Sequence, residues 1–120
     1  MPRFVILEHD HPFLHWDLML ESAGVLRTWR LLELPEPGQA MRAEPLGEHR
    51  ILYLTYEGPI SGNRGTVKRW DAGDYLPIDE TGDRITLELN GARLSGTAEM
   101  RREGDDAWTF GIHNVRKQKG

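Results

Sequence analysis

Hydrophobic and polar residues alternate along short stretches of this chain, and the alternation predicts strands. Leu14, Trp16, Leu18 and Leu20 fall on one face of a segment whose other face carries His15, Asp17, Met19 and Glu21. A period of two is the strand signature. A helix would set His15 and Asp17 about 200° apart, whereas a strand points them the same way. Phe4-Val5-Ile6-Leu7 reads as a buried strand. Ser22-Ala23-Gly24 reads as a hairpin turn, with Val25 to Leu32 returning from it. Two prolines make Glu33 to Gly38 a loop. Met41 to Glu48 reads as a connection containing one strand at most.

Ile51 to Glu57 is apolar and β-prone, ending at Gly58-Pro59. Ser61 to Gly65 is a glycine-punctuated loop. Thr66 to Asp71 reads as a strand closed by Ala72-Gly73-Asp74. Arg84 to Leu89 alternates, and Asn90-Gly91 is a strong hairpin signal before Arg93 to Met100 pairs back. Ala107 to His113 makes a last strand, and the basic tail, Arg116 to Gly120, is expected to fray. About seven or eight short strands with close turns, and no sustained helical period, predict a mainly β fold: a small antiparallel β-barrel.

Composition narrows the class. A chain of 120 residues suits one domain, 1–120. Hydrophobic residues at 38% and charged residues at 28% exclude a disordered chain. The absence of cysteine removes disulfides, thiolate metal sites and cysteine nucleophiles together. No segment reads as a signal peptide or membrane span, so the cytoplasm is the expected location. A formal charge of −4 excludes a surface coated in basic residues, but not a local basic patch at one nucleic-acid end.

The candidate chemistry lies near the N-terminus. His9, His15 and Asp17 offer two imidazoles and a carboxylate, a donor set for manganese, iron or zinc. Three protein ligands leave positions for water and substrate. His11 would be a spare or supporting group. His49 and Tyr53 share a face whether their segment is extended or helical, and could serve as acid, base or hydrogen-bond donor; a rim histidine beside a core tyrosine fits the same pattern. Arg64, Lys68 and Arg69 bring positive charge to the glycine loop, suited to an anion or to a solvated hairpin. Trp16, Trp29, Trp70 and Trp108 read as core residues before base-stacking platforms. His15-x-Asp17 with the distant His113 also has the spacing of a two-histidine-one-carboxylate iron site.

Several of these segments together resemble the 3′-phosphoesterase domain found at the N-terminus of bacterial DNA ligase D. The matching text is Glu8-His9, Leu14-His15-Trp16-Asp17-Leu18-Met19-Leu20-Glu21 and Gly24-Val25-Leu26-Arg27-Thr28-Trp29. It resumes at Glu48-His49, Tyr53-Leu54, Tyr56-Glu57-Gly58, Gly65-Thr66-Val67 and Trp70-Asp71-Ala72-Gly73. The resemblance implies a small β-barrel with an active site in a surface groove. It implies trimming of DNA 3′ ends, removing a terminal ribonucleoside and then the 3′-phosphate, as part of DNA repair. It implies manganese as preferred cofactor, with zinc or another divalent ion as alternatives, held by His9, His15 and Asp17. His49 and Tyr53 match the family's active-site histidine and tyrosine. The expected partner is a nucleic-acid 3′ end, DNA or RNA-tipped DNA. With no polymerase or ligase region in these residues, a separate repair polymerase or ligase is expected beside it. In the family a phosphate-contacting arginine stands where this chain has Met19, and Glu33 stands near the place of a family lysine. Those departures imply weakened activity, a different substrate, or a non-catalytic module that binds a 3′ end or phosphate, unless Arg64 or another basic residue takes over.

Overall fold

The computed structural model describes residues 1–114, so the basic tail lies outside the described residues. Nine strands follow in order: β1 (Arg3–His9), β2 (His15–Ser22), β3 (Val25–Leu31), β4 (Met41–Arg50), β5 (Gly58–Pro59), β6 (Thr66–Glu80), β7 (Arg84–Gly91), β8 (Ser95–Arg102) and β9 (Trp108–Asn114). Every paired neighbour is antiparallel, in the order β1-β2-β3-β4-β9-β8-β7-β6-β5. A further pairing of β1 with β6 closes eight of the strands into a barrel-like ring. Closure satisfies the sheet edges that an open sheet would expose.

The leucine face of the N-terminal pattern lines the interior. Phe4, Ile6, Trp16, Leu18, Leu20, Leu87, Leu89 and Phe110 belong to one buried cluster. Leu14 does not join it: β2 begins at His15, and Leu14 is 51% exposed. A second apolar cluster sits on the outside of the ring. Val5, Leu7, Met19, Leu26 and Val67 pack there with Leu54. β1 and β2 are therefore buried on both faces over most of their length.

Three segments depart from the sequence expectation. Ile51–Leu54 is a 3₁₀ helix rather than a strand. Its job is to cover the outer cluster with Leu54, a need of the tertiary structure that overrides β-propensity. Met41–Arg50 is a full ten-residue strand, kinked at Gly47, whose φ of 87° favours glycine. β6 does not stop at Asp71. It runs through Glu80, pairing first with β1 and then with β7. Gly73 lies at the handover between the two partners, where a Cβ would stand 2.0 Å from the Asn90 carbonyl oxygen. Its glycine marks close strand approach, not a turn.

The β7–β8 turn likewise falls later than Asn90-Gly91. Asn90 pairs with Ser95, and the tight bend is at Ala92-Arg93. Buried Asp71 holds it: one carboxylate oxygen accepts from the backbone N–H groups of Ala72, Ala92 and Arg93, the other from Leu94 at 2.9 Å. A Cβ at position 91 would meet that carboxylate at 2.3 Å. No helix among the described residues is long and apolar enough to cross a membrane.

Candidate metal centre

The site is built on the outer face where β1 ends and β2 begins. His9 pairs with His15 and Leu7 with Asp17 across the two strands. Directly paired residues in a sheet share a face, and alternate residues repeat it. His9, His15 and Asp17 must therefore project together. Their donor atoms lie within 4.8 Å of one another.

Two backbone carbonyls decide which ring nitrogen each histidine presents. His9 Nε2 lies 2.8 Å from the Arg64 carbonyl oxygen, and His15 Nδ1 lies 2.8 Å from that of Phe13. A carbonyl only accepts, so each of these nitrogens carries the hydrogen and donates. In the neutral rings the lone pairs then sit on His9 Nδ1 and His15 Nε2. Both face Asp17, at 3.8 Å and 3.4 Å from its two oxygens. His15 Nε2 and Asp17 Oδ1 are buried and lack a hydrogen-bond partner. Two lone pairs and a carboxylate facing one another out of water demand a positive charge between them. A divalent ion fits this donor set.

The loop that supplies the Arg64 carbonyl approaches through Gly65. A Cβ there would lie 2.3 Å from Asp10 Oδ1 and 2.6 Å from the His11 Cβ. Asp10 in turn accepts from the Thr66 N–H at 2.8 Å. His11 stands at one side, its ring centroid 6.4 Å from that of His9.

Titration behaviour follows from the same contacts. The Asp17 carboxylate raises the pKa of His9. Burial is the largest influence on Asp17 and pushes its carboxyl upward, but the two imidazoles together hold it below the ordinary range. His49 is pushed down by burial, which favours its neutral form.

A cavity of about 120 Å³ opens beside the donors. His9, Asp17, Met19, His49, Tyr53 and Arg64 line it, with apolar walls from Leu7, Ile60 and Val67. β4 delivers His49 and the 3₁₀ helix delivers Tyr53, their rings 6.3 Å apart. Arg64 steadies its own side chain by donating from Nε to the Ser61 carbonyl oxygen at 2.7 Å. Lys68 and Arg69 do not line the cavity. Lys68 pairs with Glu8, on the strand face opposite His9, while Arg69 pairs with Leu7 and its N–H donates to Glu57. His113 lies on β9, lining a different and larger concavity of about 370 Å³. It cannot complete an iron site with His15 and Asp17. Among the described residues, that larger concavity has no His–carboxylate cluster of the kind found at the cavity beside Asp17. Chemistry, not volume, therefore selects the site. All four tryptophans belong to or pack on the inner cluster, so none stands at the site as a stacking platform.

Arg30 and Phe13 also stand beside the donors, though no motif marks them. β2 and β3 pair about Ala23-Gly24, which puts Arg30 directly opposite Asp17. Counting outward from that turn was the available signal.

Comparison with known proteins places the chain among relatives of one kind. A family model described as the DNA ligase D 3′-phosphoesterase domain matches residues 7–102. The multifunctional non-homologous end joining protein LigD of Mycobacterium bovis is 34% identical over 125 aligned positions, covering 97% of this chain and 16% of that protein. The LigD of Pseudomonas aeruginosa is 30% identical over 110 positions, covering 83% of this chain and 13% of the relative. That of Mycolicibacterium smegmatis is 31% identical, covering 98% and 17%. The chain thus spans under a fifth of the length of these curated relatives.

Proposed function

Because this chain belongs to the DNA ligase D 3′-phosphoesterase domain family, we propose that it is a divalent-metal-dependent phosphoesterase acting on nucleic-acid 3′ ends. The observation that carries the proposal is the convergence of His9 Nδ1, His15 Nε2 and Asp17, two of them with their tautomer fixed by the main chain. The ion, manganese by preference, would polarise a phosphoryl oxygen and lower the pKa of a bound water.

The remaining roles fall to the cavity. His49 would stabilise charge on a phosphoryl oxygen or protonate the leaving oxygen. Tyr53 offers its hydroxyl to the same phosphate. Arg64 is the phosphate-binding cation of the cavity, and Lys68 and Arg69 contribute only to the field around it. Met19 and the apolar walls exclude water from one side. The biological setting would be repair of DNA ends alongside a polymerase and ligase.

The test is manganese-dependent release of phosphate or a terminal ribonucleoside from a 3′-modified oligonucleotide. His15→Ala should abolish it. Release that is robust without metal, and unaffected by His15→Ala, overturns the reading.

A second reading, end recognition without turnover, is favoured by one observation: Met19 is 2% exposed and packed in the outer cluster, offering the phosphate no charge. Tight 3′-phosphate binding with no product after long incubation would select it; Met19→Arg should then raise activity, and no gain would argue that the substrate has changed.

A further inference from the structure

Beside the metal centre, Arg30 forms no ion pair among the described residues, although β4 sets Glu44 opposite it as β2 sets Asp17. Arg30 stands on β3 directly opposite Asp17 and therefore on the same outer face. Met19 pairs with Thr28, so Arg30 is one pleat along from the uncharged wall of the cavity. Among the described residues no carboxylate pairs with it, and its Nε is buried without a hydrogen-bond acceptor. Such a group is costly unless something arrives to satisfy it. Its guanidinium meets an aromatic ring: Cζ lies 5.4 Å from the centroid of the Phe13 ring. Phe13 sets its edge against His15 at 5.5 Å, yet remains 49% exposed.

Guanidinium and ring thus lie together beside the donor cluster, on the β3 side of β2 and away from the β1 edge that Arg64 covers. An unpaired guanidinium is a bidentate receptor for phosphate. An exposed phenyl ring backed by a cation is a platform for a nucleobase. We propose that Arg30 and Phe13 form a second substrate contact, in which Arg30 takes a phosphate oxygen of the strand and Phe13 carries the adjoining base. This rests on the functional reading above and adds to it: the substrate would be held as a nucleotide with its base, not as a bare phosphate ester. Arg64 and Arg30 would then grip the strand on opposite sides of the ion.

Binding decides it without requiring turnover. A fluorescent single-stranded DNA oligonucleotide with a 3′-phosphate is titrated by anisotropy, with and without manganese, against wild type, Arg30→Met, Arg30→Lys and Phe13→Ala. Arg30→Met should weaken binding about tenfold and flatten the salt dependence by roughly one phosphate contact, with Arg30→Lys intermediate. Phe13→Ala should weaken binding at least about fivefold, and that loss should vanish on an oligonucleotide whose terminal nucleotides are abasic. Manganese affinity measured by calorimetry should match wild type in all three. Should Arg30→Met fail to fold, Arg30→Lys and exposed Phe13→Ala decide the matter. Wild-type binding that all the folded variants retain in full overturns the second contact and leaves the functional reading standing. Absence of oligonucleotide binding by the wild type overturns both.

Discussion

β2 and β8 are both eight-residue strands, and their outer faces have opposite fates. β8 alternates as a half-buried strand should: Gly96, Ala98 and Met100 point inward, while Thr97, Glu99 and Arg101 face outward. Its charges meet other exposed charges, with Glu99 taking Arg84 at 3.8 Å and Arg101 at 3.3 Å. On β2 the outward positions His15, Asp17 and Met19 are all buried, and only Glu21 near the strand's end is half-exposed. The same polar alternation therefore describes a solvated face in one strand and a covered site in the other. What differs is the layer above: the Ser61–Gly65 loop, the 3₁₀ helix and Phe13 close over β2. Polar side chains that a protein takes the trouble to cover, and then leaves unpaired, are waiting for a ligand.

That contrast is broken most severely at Asp17. Asp17→Ala should abolish manganese binding by calorimetry and reduce any 3′-end activity by at least about a hundredfold, the scale expected for losing a ligand outright. Glu99→Ala, at the outward carboxylate of β8, should change neither.

Asp71 gives the next largest effect. It is a buried carboxylate with four backbone donors and no role at the site. Asp71→Ala would strand those N–H groups and should cost about 3 kcal/mol or more in urea unfolding. Metal affinity extrapolated to the folded fraction should be unchanged. This separates a covered polar group that is satisfied from one that is not.

His49 sharpens the comparison through pH. Its folded pKa is depressed by burial, so between that value and the unfolded one the unfolded chain binds more protons. Stability is therefore fully present above the unfolded value near 6.5 and declines as pH falls towards the folded one. His49→Gln should remove this share of the slope in urea titrations between neutral and mildly acid pH. If the variant keeps the full wild-type slope, another group is responsible.

The smallest effect belongs to the exposed pairs of β8. Arg101→Ala should shift stability by no more than about 0.5 kcal/mol, because exposed ion pairs are screened and cost entropy to hold. A large shift would mean the outer face of β8 is covered after all.

The sequence made the strands of this contrast legible but not their covers. Alternation placed His15 and Asp17 on one face because a pleat leaves no choice. It also placed Glu99 and Arg101 on one face, with nothing to tell the two cases apart. The grouping of His9 with them needed only that β1 and β2 be neighbours, and the short intervening segment enforces it. Ile51–Leu54 was misread because its residues favour strands, while the folded chain needed a cap over Leu7, Met19 and Leu26. Thr66 to Glu80 was cut short at Gly73 because glycine usually ends a strand, whereas here it permits contact with Asn90. Lys68 and Arg69 joined Arg64 as cations of one loop; the onset of β6 pairing then turned Lys68 to the opposite face.

The clamp on His9 comes from the peptide of residue 64, not from its side chain. An arginine, lysine or serine at that position would present the same carbonyl to the imidazole. Replacing the side chain at position 64 should therefore leave the orientation of the His9 ring intact, so that whatever that side chain does in the cavity is separable from the setting of the imidazole.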